Sequence, residues 1–195
     1  MIMQKLMYLP ADLPKINKDE ILENFKPGSN FYVWDFEKLT VDSGGKYGKN
    51  DFTDDAKNKY PNLIDYLGSL PFTAISNVKI NMQTDQKPEM HIDFRTPEDG
   101  NELVENINDQ EPCGYRFVVK GGRDKLLIRS GEEEKVAYLP EDTDCYLLNQ
   151  SEGYHAVQED YGRIIVYVTA FIDHEKHQDL LKRSLTKYGD YAIYE

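Results

Sequence analysis

The sequence predicts a mainly β protein of one domain, residues 1–195, with a few peripheral helices. From Ala74 onward, short apolar runs recur at intervals of about 8 to 12 residues, which is typical of a β-sandwich or barrel. No amphipathic helices alternate with these runs, so βαβ units are not predicted. Tyrosine and phenylalanine, which favour strands, contribute 14 and 8 of the 195 residues.

Residues 1–73 differ in character and are predicted to form a helical and loop extension that packs on the core. Prolines interrupt this region, and one helix is expected around Lys18–Phe25. Another helix is expected to begin near Pro61, because proline is favoured in the first turn. A first strand is predicted at Phe31–Trp34. The glycine-containing segment Val41–Asn50 lacks a phosphate-binding motif and is interpreted as a polar loop.

Residues 74–172 are predicted to form the β-core. Gly121 and Gly122 lie between two predicted strands and indicate a hairpin, because glycine accepts the positive φ of tight turns. A second, tighter hairpin is expected across Gln158–Gly162. The predicted strands are Val78–Met82, Glu89–Phe94, Tyr115–Lys120, Lys125–Arg129, Lys135–Leu139, Asp144–Leu148, Tyr154–Val157 and Arg163–Ile172.

Residues 173–195 are predicted to form a C-terminal helix and tail. From Glu175 to Tyr188, leucines recur at helical spacing, which indicates an amphipathic helix packed on the outside of the core. His174 and His177 stand at the start of this helix. They are interpreted as solvated side chains of its first turn rather than as metal ligands.

The charge of the chain excludes some classes of partner. The formal net charge is −12, and no cluster of lysine and arginine appears, so nucleic acid is not an expected partner. No apolar run approaches the ~20 residues that a membrane-spanning helix needs. The segment Met1–Met7 is too short and too quickly polar for a signal peptide, so we expect a cytoplasmic protein without a membrane partner.

Three residues of the predicted core have the spacing of metal ligands. His91 and Asp93 lie two positions apart on one predicted strand, so their side chains share a face, about 6–7 Å apart. His155 lies on another predicted strand. Two histidines and one carboxylate on one side of a metal, with the other side open, are typical of non-haem Fe(II) sites. The alternative is a pair of half-buried histidines without a ligand.

Arg163 follows His155 by eight positions and opens the apolar run Ile164–Val168. A cation at a buried strand start requires an anionic partner, and a dicarboxylate co-substrate would supply one. The alternative is an exposed arginine at the beginning of a strand.

An all-β core with His91-x-Asp93, a distant His155 and a downstream Arg163 resembles the Fe(II)- and 2-oxoglutarate-dependent oxygenases. The likeness covers about Val78 to Ile172. The segment Tyr154–Val168 is most similar to the branch of aspartyl/asparaginyl β-hydroxylases and prokaryotic proline hydroxylases. The resemblance implies a double-stranded β-helix, the jelly roll shared with cupins.

The resemblance also implies roles for individual residues. His91, Asp93 and His155 match the metal ligands and so the catalytic centre, and Arg163 matches the residue that pairs with 2-oxoglutarate. Arg116 matches a further arginine that the branch places near the co-substrate or the substrate. Thr169, Tyr167 and Ile165 share the face of Arg163 and are expected to line the same cavity, with Thr169 as a further co-substrate contact.

The implied activity is hydroxylation of an unactivated C–H bond of a small molecule, an amino acid or a peptide side chain. Fe(II) and 2-oxoglutarate are the implied cofactors, with ascorbate as the reductant in vitro. The long acidic segment Thr96–Pro112 is expected to act as a lid, and its acidity favours a cationic or neutral substrate. The alternative function is a cupin-like metal-binding or interaction module without 2-oxoglutarate turnover.

Overall fold

The computed structural model describes residues 5–30, 33–41, 51–84, 87–92, 112, 114–150 and 153–195. Across these ranges the chain forms two antiparallel β-sheets and four α-helices. The prediction of a mainly β fold with a few helices is therefore confirmed. The predicted lid falls outside the described residues, apart from Pro112.

Eleven strands are present in the described part of the chain. Eight form a larger sheet in the order β11-β1-β8-β5-β10-β4-β3-β2, and three form a smaller sheet in the order β7-β6-β9. The strands are β1 Leu6–Pro10, β2 Ser29–Asn30, β3 Trp34–Lys38, β4 Phe72–Gln83, β5 Gly114–Lys120, β6 Leu126–Ser130, β7 Glu133–Ala137, β8 Cys145–Leu148, β9 His155–Val157, β10 Ile164–Ile172 and β11 Ile193–Tyr194.

The helices are α1 Lys18–Asn24, α2 Asp54–Lys59, α3 Pro61–Gly68 and α4 His174–Tyr188. The sequence predicted α1, α3 and α4, and their positions are confirmed. It missed α2, a six-residue helix whose first turn is capped by the side chain of Thr53. No helix in the described ranges is both long enough and apolar enough to cross a membrane.

The larger sheet is covered on both faces. Alternate residues of β5 show this: Tyr115 and Phe117 pack toward the helices, whereas Val118 packs toward the smaller sheet. Helix residues Ile21, Leu63 and Leu181 belong to the first core, and smaller-sheet residues belong to the second. The fold therefore has three layers: helices, larger sheet and smaller sheet.

Both predicted hairpins are wrong, because each joins strands of different sheets. Strand β5 pairs with β8 and β10, whereas β6 pairs with β7 and β9. Gly121, at φ +104°, carries the chain from the larger to the smaller sheet. A Cβ there would lie 2.7 Å from Cγ of Arg163, so the loop needs glycine for its conformation and for space. The segment after β9 crosses back to β10 in the same way.

Residues 1–73 contribute strands to the larger sheet as well as helices. β1 lies between β8 and β11, and β3 pairs with β4. The sequence missed β1 because its five residues are all buried and do not alternate. A buried run of this length does not distinguish a strand from other buried structure.

His177 on α4 is buried, contrary to the interpretation of a solvated first turn. Its side chain is 2% exposed, and its Nδ1 lies 2.8 Å from the hydroxyl of Tyr115 on β5. The pKa of His177 is lowered to about 4, mainly by burial and further by the charge of His174. The amphipathic character of α4 was predicted correctly, but a histidine gives no clear signal for the buried side of a helix.

We expect the fold to lose stability on acidification because of His177. Below pH 6.5 the unfolded chain binds a proton at this position that the folded chain takes up only near pH 4. The stabilising contribution is therefore complete above pH 6.5 and falls by about 3 kcal/mol as the pH drops through this window. Urea unfolding of the parent at pH 7 and 4.5 would measure the loss.

His177→Gln should show a smaller loss between these two pH values, since no proton binds at this position. His174→Gln is the matched control, because His174 lies exposed on the same turn. It removes only the smaller part of the pKa shift, which comes from the charge of His174, so it should keep most of the loss. An identical pH dependence in His177→Gln and the parent would contradict the assignment.

Candidate metal and co-substrate site

His91 and His155 lie side by side although 63 residues separate them in the sequence. Their backbones exchange two hydrogen bonds, of 2.9 Å from the His91 amide and 2.8 Å from the His155 amide. The rings are 4.6 Å apart between centres and inclined by 49°. His155 is 7% exposed. This bridge adds His91 to the smaller sheet next to β9 and brings the two imidazoles together.

Backbone carbonyls fix the tautomer of both rings. Nδ1 of His91 lies 2.7 Å from the carbonyl oxygen of Glu89, and Nδ1 of His155 lies 3.2 Å from that of Gly153. A carbonyl oxygen only accepts, so Nδ1 carries the proton in each ring. In the neutral rings the lone pair is then on Nε2, which is the arrangement expected of metal-binding histidines.

Asp93, the third predicted ligand, lies outside the described residues. Within the described ranges no group of three His, Cys, Asp or Glu side chains is placed to hold a metal ion. The structure thus brings two of the three predicted ligands together, and the complete ligand set stays a prediction.

Arg163 is buried between the two sheets. It is 2% exposed, and Nε and Nη1 have no hydrogen-bond partner among the described residues. Its backbone is held by bonds from its amide to Asp160 and from the Gln83 amide to its carbonyl. Burial raises the pKa of Tyr8, a residue of the core between the sheets, and the charge of Arg163 is among those that oppose this rise.

A buried guanidinium without an anion is energetically unfavourable, because its lost hydration is not replaced. Carboxylates are the natural partners of arginine, since two oxygens accept parallel hydrogen bonds from its planar group. The surroundings of Arg163 therefore fit a carboxylate that enters between the sheets. The alternative of an exposed arginine at a strand start is wrong.

Arg116 is also buried, but its guanidinium is held by the protein. It is 4% exposed and stacks on the ring of Tyr167, with 3.3 Å between Cζ and the ring centre. Nη1 donates to the carbonyl of Tyr115 at 3.1 Å, and Nη2 donates to Oε1 of Gln150. Gln150 in turn donates to the Tyr167 hydroxyl at 3.3 Å. These contacts fix Arg116 beside Tyr167.

The strand register separates Arg163 from Arg116 and Thr169. Arg116 is paired with Tyr167, four positions along β10 from Arg163, which corresponds to about 13 Å. Thr169 is six positions along, or about 20 Å. These spacings join backbone positions, and at about 20 Å Thr169 lies beyond the reach of a small co-substrate bound to Arg163. The structure places all three on one face of the sheet but does not bring them together.

Sequence reasoning missed a polar row on β4. Val78, Ile80 and Met82 pack on the helix side, so Asn77, Lys79, Asn81 and Gln83 face the other way, toward the smaller sheet. Oδ1 of Asn81 is buried and has no hydrogen-bond partner among the described residues. The alternation of these polar residues with Val78, Ile80 and Met82 was the available signal, because it gives the strand one apolar and one polar face.

Comparisons with known proteins add little. No family model matches the sequence, and no curated protein is significantly similar to it. Among solved structures, the chain is similar to an oxidoreductase of the 2OG-Fe(II) oxygenase family from Burkholderia pseudomallei, with a TM-score of 0.48 and 12% identity, over 80% of this chain and 76% of that chain. Because a likeness at this level indicates neither family nor activity, a function has to be argued from the residues of the site.

Replacing Arg163 should stabilise the protein when no ligand is added. Arg163→Met keeps a long unbranched side chain and removes the buried charge, so we expect the free energy of unfolding to rise by about 1–4 kcal/mol. Chemical denaturation at pH 7 measures the change. Arg129→Met, at a half-exposed arginine on β6, should change stability by less than about 0.5 kcal/mol. A marked loss of stability in Arg163→Met would show that the guanidinium already has its partners in the folded protein.

Proposed function

We propose that this protein is an Fe(II)- and 2-oxoglutarate-dependent oxygenase that hydroxylates a C–H bond. The observation that carries the proposal is the combination of two paired histidines, each with its proton fixed on Nδ1, and a buried arginine whose Nε and Nη1 lack partners. The histidines suit a metal, and the arginine suits the far carboxylate of a 2-oxo diacid.

The order of the strands supports the same proposal. From β4 to β10, the chain crosses repeatedly between the two sheets. The larger sheet takes β4, β5, β8 and β10, and the smaller sheet takes His91, β6, β7 and β9. The order β8-β5-β10-β4 thus lies opposite the order β7-β6-β9-His91. Four neighbouring strands of the larger sheet, opposite the three strands of the smaller sheet and the His91 bridge, support the double-stranded β-helix that the proposal implies.

In this proposal His91, Asp93 and His155 hold Fe(II), with Nε2 of each histidine as the ligating atom. The bound metal, 2-oxoglutarate and dioxygen supply the oxidation: the 2-oxo acid becomes succinate and carbon dioxide, and one oxygen atom enters the substrate C–H bond. The protein contributes position. The carbonyls of Glu89 and Gly153 orient the imidazoles, and Arg163 orients the co-substrate.

Apolar residues of the core between the sheets exclude water from the site. Val118 on β5, Val157 on β9 and Ile165 on β10 are buried in this core, close in sequence to the site residues. Water exclusion strengthens the ion pair between Arg163 and a carboxylate, because the effective dielectric is lower there than in solvent. Thr169 has no role in this proposal, because it lies too far from Arg163.

The metal assignment predicts the behaviour of three variants. Anaerobic addition of Fe(II) and 2-oxoglutarate to the parent should produce the weak visible absorption of a metal-chelated 2-oxo acid. His155→Ala and Asp93→Ala should abolish it and lower the iron content, because two protein ligands hold Fe(II) weakly. His174→Ala, at an exposed histidine on α4, should leave both readouts unchanged. Unchanged iron content in both ligand variants would overturn the assignment.

The co-substrate assignment predicts a selective defect. Arg163→Lys keeps the charge but loses the planar group, so affinity for 2-oxoglutarate should fall about 10- to 100-fold, or about 1.5–3 kcal/mol. Iron binding should persist. Calorimetry measures both affinities.

In the parent, succinate should form slowly with Fe(II), ascorbate, 2-oxoglutarate and oxygen. A protein that binds iron but never consumes 2-oxoglutarate would instead be a cupin-like binding module.

A further inference from the structure

An aromatic and a polar side chain lie next to Arg163 on the inner face of the larger sheet, the face turned toward the smaller sheet. The register pairs Trp34 of β3 with Gln83 of β4, so Trp34 and Asn81 are diagonal neighbours on this face, about 7–8 Å apart. On its other side, Asn81 is paired with Ile165 of β10. Arg163 lies two positions before Ile165, so Asn81 is a diagonal neighbour of Arg163 as well.

Asn81 presents a hydrogen-bond acceptor that needs a donor. Its Oδ1 is buried and has no hydrogen-bond partner among the described residues. Leaving a buried acceptor unpaired is unfavourable, because its bond to water is lost and not replaced. Both carboxyl groups of 2-oxoglutarate are ionised at pH 7, so the co-substrate offers only acceptor oxygens. The donor for Asn81 is therefore expected on a second molecule.

Trp34 offers that molecule an aromatic surface. Its side chain packs against the core between the sheets and is still partly exposed. In the described ranges the smaller sheet ends at the His91 bridge, which lies opposite β4, so none of its strands lies over β3. The neighbouring ring of Phe36 has the ammonium group of Lys79 over it, 5.0 Å from the ring centre. Trp34 is therefore the ring that we assign to a ligand.

The two strands that carry Trp34 and Asn81 provide no carboxylate on this face. Strand β4 contains no Asp or Glu. On β3, Asp35 is paired with Met82, and Glu37 accepts a hydrogen bond from the Tyr60 hydroxyl, so both carboxylates lie on the helix side. A buried ammonium group requires a charged partner, whereas a neutral N–H or O–H group is satisfied by an amide oxygen. The position therefore suits an uncharged donor.

We propose that the prime substrate is a small, uncharged compound with a planar ring that carries an N–H or O–H group. The ring stacks on Trp34, and the N–H or O–H group donates to Oδ1 of Asn81. Trp34 and Arg163 flank Gln83 in one row, about 10 Å apart between backbones, so the ring and the co-substrate occupy neighbouring positions. The proposal deepens the proposed function and rests on it for the word substrate.

The experiment uses the full chain and the fluorescence of Trp34, the single tryptophan of the sequence. Three donor compounds are each compared with a methylated partner that lacks the donor: uracil with 1,3-dimethyluracil, phenol with anisole, and benzamide with N,N-dimethylbenzamide. At least one donor compound should change the fluorescence and bind at least fivefold more tightly than its partner by calorimetry. Asn81→Leu should lose this preference. Trp34→Leu should weaken binding of both partners about tenfold.

Two variants serve as matched controls. Asn77→Leu removes an asparagine from the same face of β4, four positions from Asn81, whose Oδ1 accepts a hydrogen bond from Thr40. Tyr191→Leu removes a partly exposed aromatic side chain at a distant position. Both should bind the probes as the parent does. Circular dichroism checks the fold of every variant. If Trp34→Leu is unfolded, Trp34→Phe replaces it and should weaken binding about threefold, because a smaller ring remains.

The outcomes separate this inference from the proposed function. A donor preference that is lost in Asn81→Leu, with no iron or 2-oxoglutarate binding in the parent, would support the ring site and overturn the oxygenase proposal. Iron and 2-oxoglutarate binding with no probe preferred over its methylated partner would overturn the ring site alone. The same holds if folded Asn81→Leu binds the probes as the parent does but loses affinity for 2-oxoglutarate. Cyclohexanol that binds as tightly as phenol would overturn the planar ring.

Discussion

The buried guanidinium of Arg163 constrains the structure more than any other single group. It lies between two sheets that are otherwise joined by apolar contacts, and Nε and Nη1 have no partner in the described part of the chain. A fold that tolerates such a charge gives up stability. The loops around it fit this side chain closely, since Gly121 leaves room for its Cβ and Cγ and Asp160 holds both the Gly122 amide and the Arg163 amide. In the proposed oxygenase, a carboxylate of the co-substrate would supply the partner of this guanidinium.

The repeated crossing of the chain between the two sheets brings residues that are distant in the sequence together at one candidate site. Each crossing places the next strand in the opposite sheet. His155 belongs to the smaller sheet and Arg163 precedes β10 of the larger sheet. The two residues are only eight positions apart in the sequence, and both side chains face the interior between the sheets. His91 reaches the same interior through a two-bond bridge to β9. Had β9 and β10 formed the hairpin that the sequence predicts, both would lie in one sheet and no enclosed interior would separate them.

The sequence predicted site residues well, because histidine and buried arginine have few uses in proteins. It did not predict which strands pair, because tertiary contacts determine the pairing. The proximity of His91 to His155 and the burial of Arg163 could be predicted, because ligand types and spacing limit the alternatives. Hairpins and crossings use the same glycines, so the sheet to which β6 belongs could not be predicted. Glu20 is a further example: on α1 it looks like a surface residue, yet it accepts hydrogen bonds from the amides of Asn62 and Leu63 at the start of α3. Only the packing of the two helices reveals that role.

The distribution of charge bears on how an anion would reach Arg163. A chain of net charge −12 repels anions at long range, and salt screens that repulsion beyond about 10 Å. Arg163 is buried, so its attraction for a carboxylate acts at short distance and at a lower effective dielectric than the repulsion of the surface. In the proposed oxygenase, the co-substrate would therefore bind for its contacts with Arg163 rather than for an overall attraction of the surface.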